Sequence, residues 1–128
     1  MTDAAQVRRA RTARQRLVPE IGHDGDAAIA GAAVVVSAED ASAAIEARYL
    51  AGAGFGLIRV RSFRVANVVR AIAPDVVVAT DAPPIEPPKT KVEAAMRAFG
   101  ADESAVAVAA GAARAVGAIR RAVKVSAS

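Results

Sequence analysis

The sequence predicts an α/β fold: a small parallel sheet of about three strands flanked by helices. Three observations carry this. Short apolar, β-branched runs stand at 34–36 and 76–79, and a short alternating run at 57–60. Segments with helical spacing separate them, as right-handed crossovers between parallel strands require. The chain has 128 residues, enough for one domain around one core.

The elements follow in order. Residues 4–17 contain no glycine or proline and place Val7, Ala10, Ala13 and Leu17 on one stripe, with arginines around the rest. Pro19 ends this helix, so residues 1–22 read as a basic helical arm and 23–128 as the α/β domain. Gly22, His23, Asp24 and Gly25 read as a turn, and Asp26 caps a short helix through Ile29. The run 34–36 is expected to be a strand buried on both faces. Asp40 or Ser42 caps the next helix, which runs to about Ala53 with Ile45, Tyr49 and Leu50 as its apolar face; Gly52, Gly54 and Gly56 end it.

The second strand, 57–60, alternates with arginine, and 63–73 has helical spacing until Pro74 breaks it. Residues 76–79 are expected to form a third buried strand. Pro83, Pro84, Pro87 and Pro88 make 82–88 an extended connector. A helix over 91–99 turns Val92, Ala95, Met96 and Phe99 inward and stops at Gly100. Asp102 or Ser104 caps a last helix to about Val123, lined by Ala109, Ala112, Ala113, Val116 and Gly117.

Composition excludes several functions. There is no cysteine, so disulfides, thiolate zinc sites and thioester chemistry on this chain are ruled out; a reducing cytoplasm is the expected location. The single His23 cannot make a multi-histidine metal site, and no metal is expected. No run of about 18 apolar residues exists, so no helix is expected to span a membrane. Net charge is +4, and Arg8, Arg9, Arg11, Arg14 and Arg16 crowd the start. That arm reads as a solvated helix face, a nucleic-acid arm or a targeting segment. No aromatic residue interleaves the arginines, which leaves base stacking unsupported.

The stretch from Val34 to Gly56 raises the functional question. A strand feeding a helix is the frame of a phosphate site, which needs glycines so that phosphate can approach bare backbone at the helix start. Here the turn runs Ala38, Glu39, Asp40, Ala41, Ser42, Ala43, with two acids and no glycine. Carboxylates at a helix N-terminus satisfy it from within.

Two stretches carry a resemblance. One is RTARQRLVPEIGHDGDAAIAGAAVVV, with Arg11, Arg14, Gln15, Leu17, Pro19, Glu20, Ile21, Gly22 and Gly25. The other is EARYLAGAGFGLIRV, with Tyr49, Leu50, Ala51, Ala53, Gly54 and Gly56. Together they resemble the opening of the ThiF/MoeB/HesA superfamily of ubiquitin-activating-enzyme-like adenylyltransferases, ungapped over roughly residues 11–60. The resemblance implies a reduced, Rossmann-like domain. The closing small-residue helix is similar to the family's last one.

The departures are as telling. The family's Gly-x-Gly-Gly-x-Gly turn falls on Ala38 to Ala43, with Asp40 set against a triphosphate. The ribose-binding acid falls on Ser62, and the catalytic cysteine and zinc motifs are missing. PDVVVATDAPP resembles the segment that places an aspartate at magnesium and adenylate, here Asp81. KTKVEAA resembles the segment of a nucleotide-binding lysine, here Lys91, but the order of the two is reversed. The plainer roles are a strand-end turn acid for Asp81 and a helix-start cation for Lys91. In the family the second arginine of the opening reaches the partner's ATP phosphates, which here is Arg14; its plainer role is a surface residue or a partner of Glu20.

The resemblance thus implies a degenerate, non-catalytic protein, a pseudoenzyme without a bound cofactor. It would dimerise with itself or with an active homologue and supply Arg14 in trans. The alternative is an active adenylyltransferase that uses ATP and magnesium to activate the carboxylate of a ubiquitin-like sulfur carrier. A second alternative is a basic nucleic-acid-binding or scaffold protein.

Overall fold

A computed structural model describes residues 22–127. The helical arm expected over 4–17, including Arg14, lies outside the described residues. Eight elements follow: α1 (Gly22–Gly31), β1 (Ala33–Val35), α2 (Ala41–Ala53), β2 (Leu57–Arg59), α3 (Phe63–Ile72), β3 (Val77–Ala79), α4 (Lys91–Ala98) and α5 (Glu103–Ala127). The fold is α/β, with a three-stranded parallel sheet in the order β1-β2-β3 flanked by helices. It is consistent with a small Rossmann-like arrangement.

The expected turn at Gly22 to Gly25 is instead the first turn of α1. Gly25 and Asp26 are buried. Packing of α1 against α5 outweighs the low helix propensity of glycine. Gly56, at the entry to β2, shows how close α1 lies: a Cβ there would stand 2.2 Å from the Ala30 carbonyl oxygen.

In register, Ala33, Leu57 and Val77 form one row, Val34, Ile58 and Val78 the next, and Val35, Arg59 and Ala79 a third. Alternation sends the middle row to one face and the outer rows to the other. Ile58 is fully buried, as are Val36 and Val60 just beyond the strand ends. Val35 is 39% and Val77 62% exposed. The expectation of strands buried on both faces is therefore corrected. α2 and α3 pack against each other, so both crossovers run over the same face of the sheet. The other face is left uncovered among the described residues.

Leu50 is buried as expected, but otherwise the helices bury different residues, because alanine is spread around them and gives periodicity little to choose from. In α2 the buried side is Ser42, Ala43, Glu46, Ala47, Leu50 and Ala51. Tyr49 is exposed and Ile45 only half-buried. Small residues let α2 sit close to its neighbours, with Leu50 as the one large apolar side chain on the buried side. α2 ends on Gly54, at φ 93°, a left-handed conformation that favours glycine.

α4 buries none of its residues. Val92 and Ala95 are exposed, Met96 is half-buried, and Phe99 just beyond the helix is 91% exposed. α4 is a surface helix packed on α5, which removes the reason for an inward face. It is held by a capping box in which Thr90 and Glu93 satisfy each other's backbone N–H groups. α5 is longer than expected. It buries Val106, Ala110, Gly111, Arg114, Ala115 and Ala118, while the small residues Ala109, Ala112, Ala113 and Gly117 are half-buried and Val116 is exposed.

Candidate functional site at the start of α2

The site forms where the turn after β1 opens into α2. Asp40 is the N-cap, and its carboxylate accepts from the Ser42 backbone N–H at 3.0 Å. It also accepts from the Ser42 hydroxyl. The helix start is thus satisfied by its own chain. Ala38 and Ala43 are buried and Asp40 is exposed. Glu39 is drawn sideways: its carboxylate lies 3.4 Å from Arg61, and its carbonyl accepts from Arg64.

α5 crosses over this start and takes the remaining polar groups. Arg114 Nε donates to Glu46 Oε1 at 2.7 Å, and Nη2 donates to the Ser42 hydroxyl. The Arg114 and Glu46 side chains are each 7% exposed. Glu93 of α4 stands 3.9 Å from Nη1. A buried guanidinium needs such partners, because one left unpaired loses several kcal/mol of hydration. Burial pushes the Glu46 carboxyl above its ordinary value, against the hydrogen bond and charge of Arg114 and the charge of Arg121.

The close crossing requires Gly111. A Cβ there would lie 2.6 Å from the Ser42 carbonyl oxygen and 2.8 Å from Ile45 Cβ. Sequence reasoning missed Arg114, Glu46, Ser42 and Gly111 as a group. The available signal was Arg114 standing alone within the small-residue run 104–119 of α5, and Ser42 one turn before Glu46 in α2.

Beside this network lies a cleft of about 200 Å³ between the start of α2, the proline connector, α4 and α5. Its charged lining is Asp40, Glu86, Glu93 and Glu103 against Lys89, Arg97 and Arg114. Arg97 is occupied by Glu103 at 3.4 Å and Glu93 at 3.8 Å. With carboxylates in the majority, the cleft offers a phosphate chain little attraction.

The other sequence-derived candidates fall elsewhere. Asp81 follows β3 and takes a two-pronged ion pair from Arg59, at 3.0 and 3.1 Å. That hydrogen bond holds its carboxyl below the ordinary range. Lys91 is the exposed first residue of α4. Neither lines the cleft. Ser62, at the position of the missing ribose acid, caps α3 by accepting from the Val65 N–H. Arg14 lies outside the described residues. Among the described residues no cluster of His, Cys, Asp or Glu could hold a metal ion, and no helix is long and apolar enough to cross a membrane.

Comparison with models of known protein families finds no match. Comparison with curated proteins likewise finds no significant match.

Proposed function

We propose that this chain is a non-catalytic α/β subunit that works by association, a degenerate counterpart of the ThiF/MoeB/HesA-like adenylyltransferases. One observation carries the loss of catalysis: Asp40 caps α2 and Arg114 takes Ser42 and Glu46, so the chain's own groups fill the place of a phosphate. A phosphate arriving there would meet Asp40 and have to displace a buried ion pair. The pairing of Asp81 with Arg59 supports the same reading, since that carboxylate already has a cation.

Association rests on the resemblance of residues 11–60. The partner is a second copy or an active homologue, and Arg14 is the group lent to it. The absence of cysteine fits a cytoplasmic setting.

Titration calorimetry with ATP and magnesium, with the molar mass measured in the same buffer, tests the proposal. No heat and a stable dimer support it. Micromolar binding overturns it and makes adenylation the better reading, which ATP–pyrophosphate exchange then establishes. Arg14→Ala is expected to leave the mass and circular dichroism unchanged while reducing a partner's activity.

A further inference from the structure

The apolar face expected of α2 divides in two. Leu50 enters the core, while Tyr49 is 53% exposed and Ile45 half-buried. Together with Ile72 of α3 and Val108 of α5 they line a groove of about 470 Å³ between these three helices. None of the four belongs to the core cluster.

The charge around this groove has one sign. Arg48 is the one charged residue that lines it, and it makes no ion pair among the described residues. Apart from Glu103, the exposed charges of α2, α3 and α5 are all positive. Glu103 lines the polar cleft instead and pairs with Arg97. The one acid of α2, Glu46, is buried against Arg114, and α3 has none.

We propose that the groove docks an acidic amphipathic helix of a partner protein. Its apolar stripe lies over Ile45, Tyr49, Ile72 and Val108, and its carboxylates meet Arg48. This goes beyond the functional proposal, since it needs neither the resemblance nor the outcome with ATP.

Shape and charge together select this occupant. A recess between helices receives a ridge of side chains spaced i, i+3 or i+4 and i+7, as one face of a helix presents them. No strand lines the groove, so an added β-strand finds no backbone edge there. A lipid surface takes in apolar faces that protrude, whereas Ile45 sits half-buried in a recess. Two copies meeting groove to groove would set Arg48 against Arg48, in a chain of net charge +4. Such a like-charge contact opposes association, and an acidic helix reverses it. Tyrosine and arginine are enriched among the residues that anchor interfaces, and Arg48 and Tyr49 both line the groove.

The test selects binders to the full chain from a displayed library of helical peptides. Leucine is fixed at i, i+3 and i+7, and the other positions draw on glutamate, lysine, glutamine and alanine. Glutamate-rich binders are expected. Their synthetic peptides should bind at least tenfold more weakly to Tyr49→Ser and to Val108→Ser, the loss of one anchor. Both positions are about half exposed, so the fold should persist, which circular dichroism checks. Phe99→Ser, at an exposed residue that does not line the groove, should change nothing. Arg48→Glu should turn the preference towards lysine-rich peptides. Lysine-rich binders to the parent, binders indifferent to Tyr49→Ser and Val108→Ser, or no binder at all overturn the proposal. Phosphatidylcholine vesicles containing phosphatidylserine are the second probe. Vesicle binding lost in the same two variants assigns the groove to a membrane and overturns it. A dimer in sedimentation that Val108→Ser dissolves assigns the groove to a second copy; that overturns the acidic helix while leaving the functional proposal standing.

Discussion

Arg114 of α5 reaches across to Glu46 of α2 with Nε 2.7 Å from Oε1, and each side chain is only 7% exposed. This contact ties the last helix to the helix whose start resembles a phosphate site. A buried ion pair is weak evidence for stability but strong evidence for interdependence, since each charge makes the other tolerable.

Removing one partner should therefore cost far more than removing both. Glu46→Leu is expected to destabilise the protein by about 3–5 kcal/mol, because Arg114 keeps its charge without a counter-ion. Glu46→Leu combined with Arg114→Met is expected to return within about 1 kcal/mol of the parent. Urea unfolding of the two single variants, the double variant and the parent measures the coupling. Additive losses would show that the pair is not a unit.

The crossing of α5 over α2 depends equally on a missing side chain. Gly111→Ala would place a Cβ 2.6 Å from the Ser42 carbonyl oxygen, against backbone that cannot swing aside. Overpacking of this kind costs about 1–3 kcal/mol. That outweighs the gain of up to about 1 kcal/mol from replacing glycine with alanine inside a helix. At Gly52, where a Cβ meets nothing within 4 Å, the same change should be neutral or stabilising. Thermal unfolding of both variants checks the contrast.

Asp40 supplies the third expectation. It accepts from the Ser42 N–H, so Asp40→Ala should cost about 1 kcal/mol, the usual worth of an N-cap. Asp40→Asn should cost less, because the cap oxygen remains while the charge at the helix start is lost. An Asp40→Ala variant as stable as the parent would show that the carboxylate is dispensable as a cap, and the self-satisfied helix start would lose its basis.

Strand–helix alternation was legible because β-branched runs and prolines stand at the element boundaries. Asp40 and Asp102 could be read as caps because capping is local chemistry. The inward faces were not legible. In α2 and α5 alanine occupies nearly every side, so the pattern cannot say that Leu50 faces in and Tyr49 out, or that the buried stripe of α5 runs through Gly111 and Arg114. Nor does a three-residue run such as Val77–Ala79 reveal that one face is left uncovered among the described residues; that depends on both crossovers lying on the same side. The Arg114–Glu46 contact joins residues 68 apart in sequence, a separation no local rule spans.

The last expectation concerns pH. Burial raises the Glu46 carboxyl above its ordinary value of 4.5, with Asp40 acting in the same direction and Arg114 opposing. In the window above that value the folded protein holds a proton that the unfolded chain has released. Stability from this group is thus fully present below 4.5 and declines as pH rises through the raised value. Other carboxylates titrate nearby, so the parent alone does not isolate the effect. The difference in unfolding free energy between the parent and the Glu46→Leu/Arg114→Met variant does. It should move against the parent as pH rises above 4.5, then level off once pH has passed the raised value. Urea unfolding at half-unit pH steps gives the curve. A difference that grows in the parent's favour over that range would mean that Arg114 outweighs burial and holds Glu46 charged throughout.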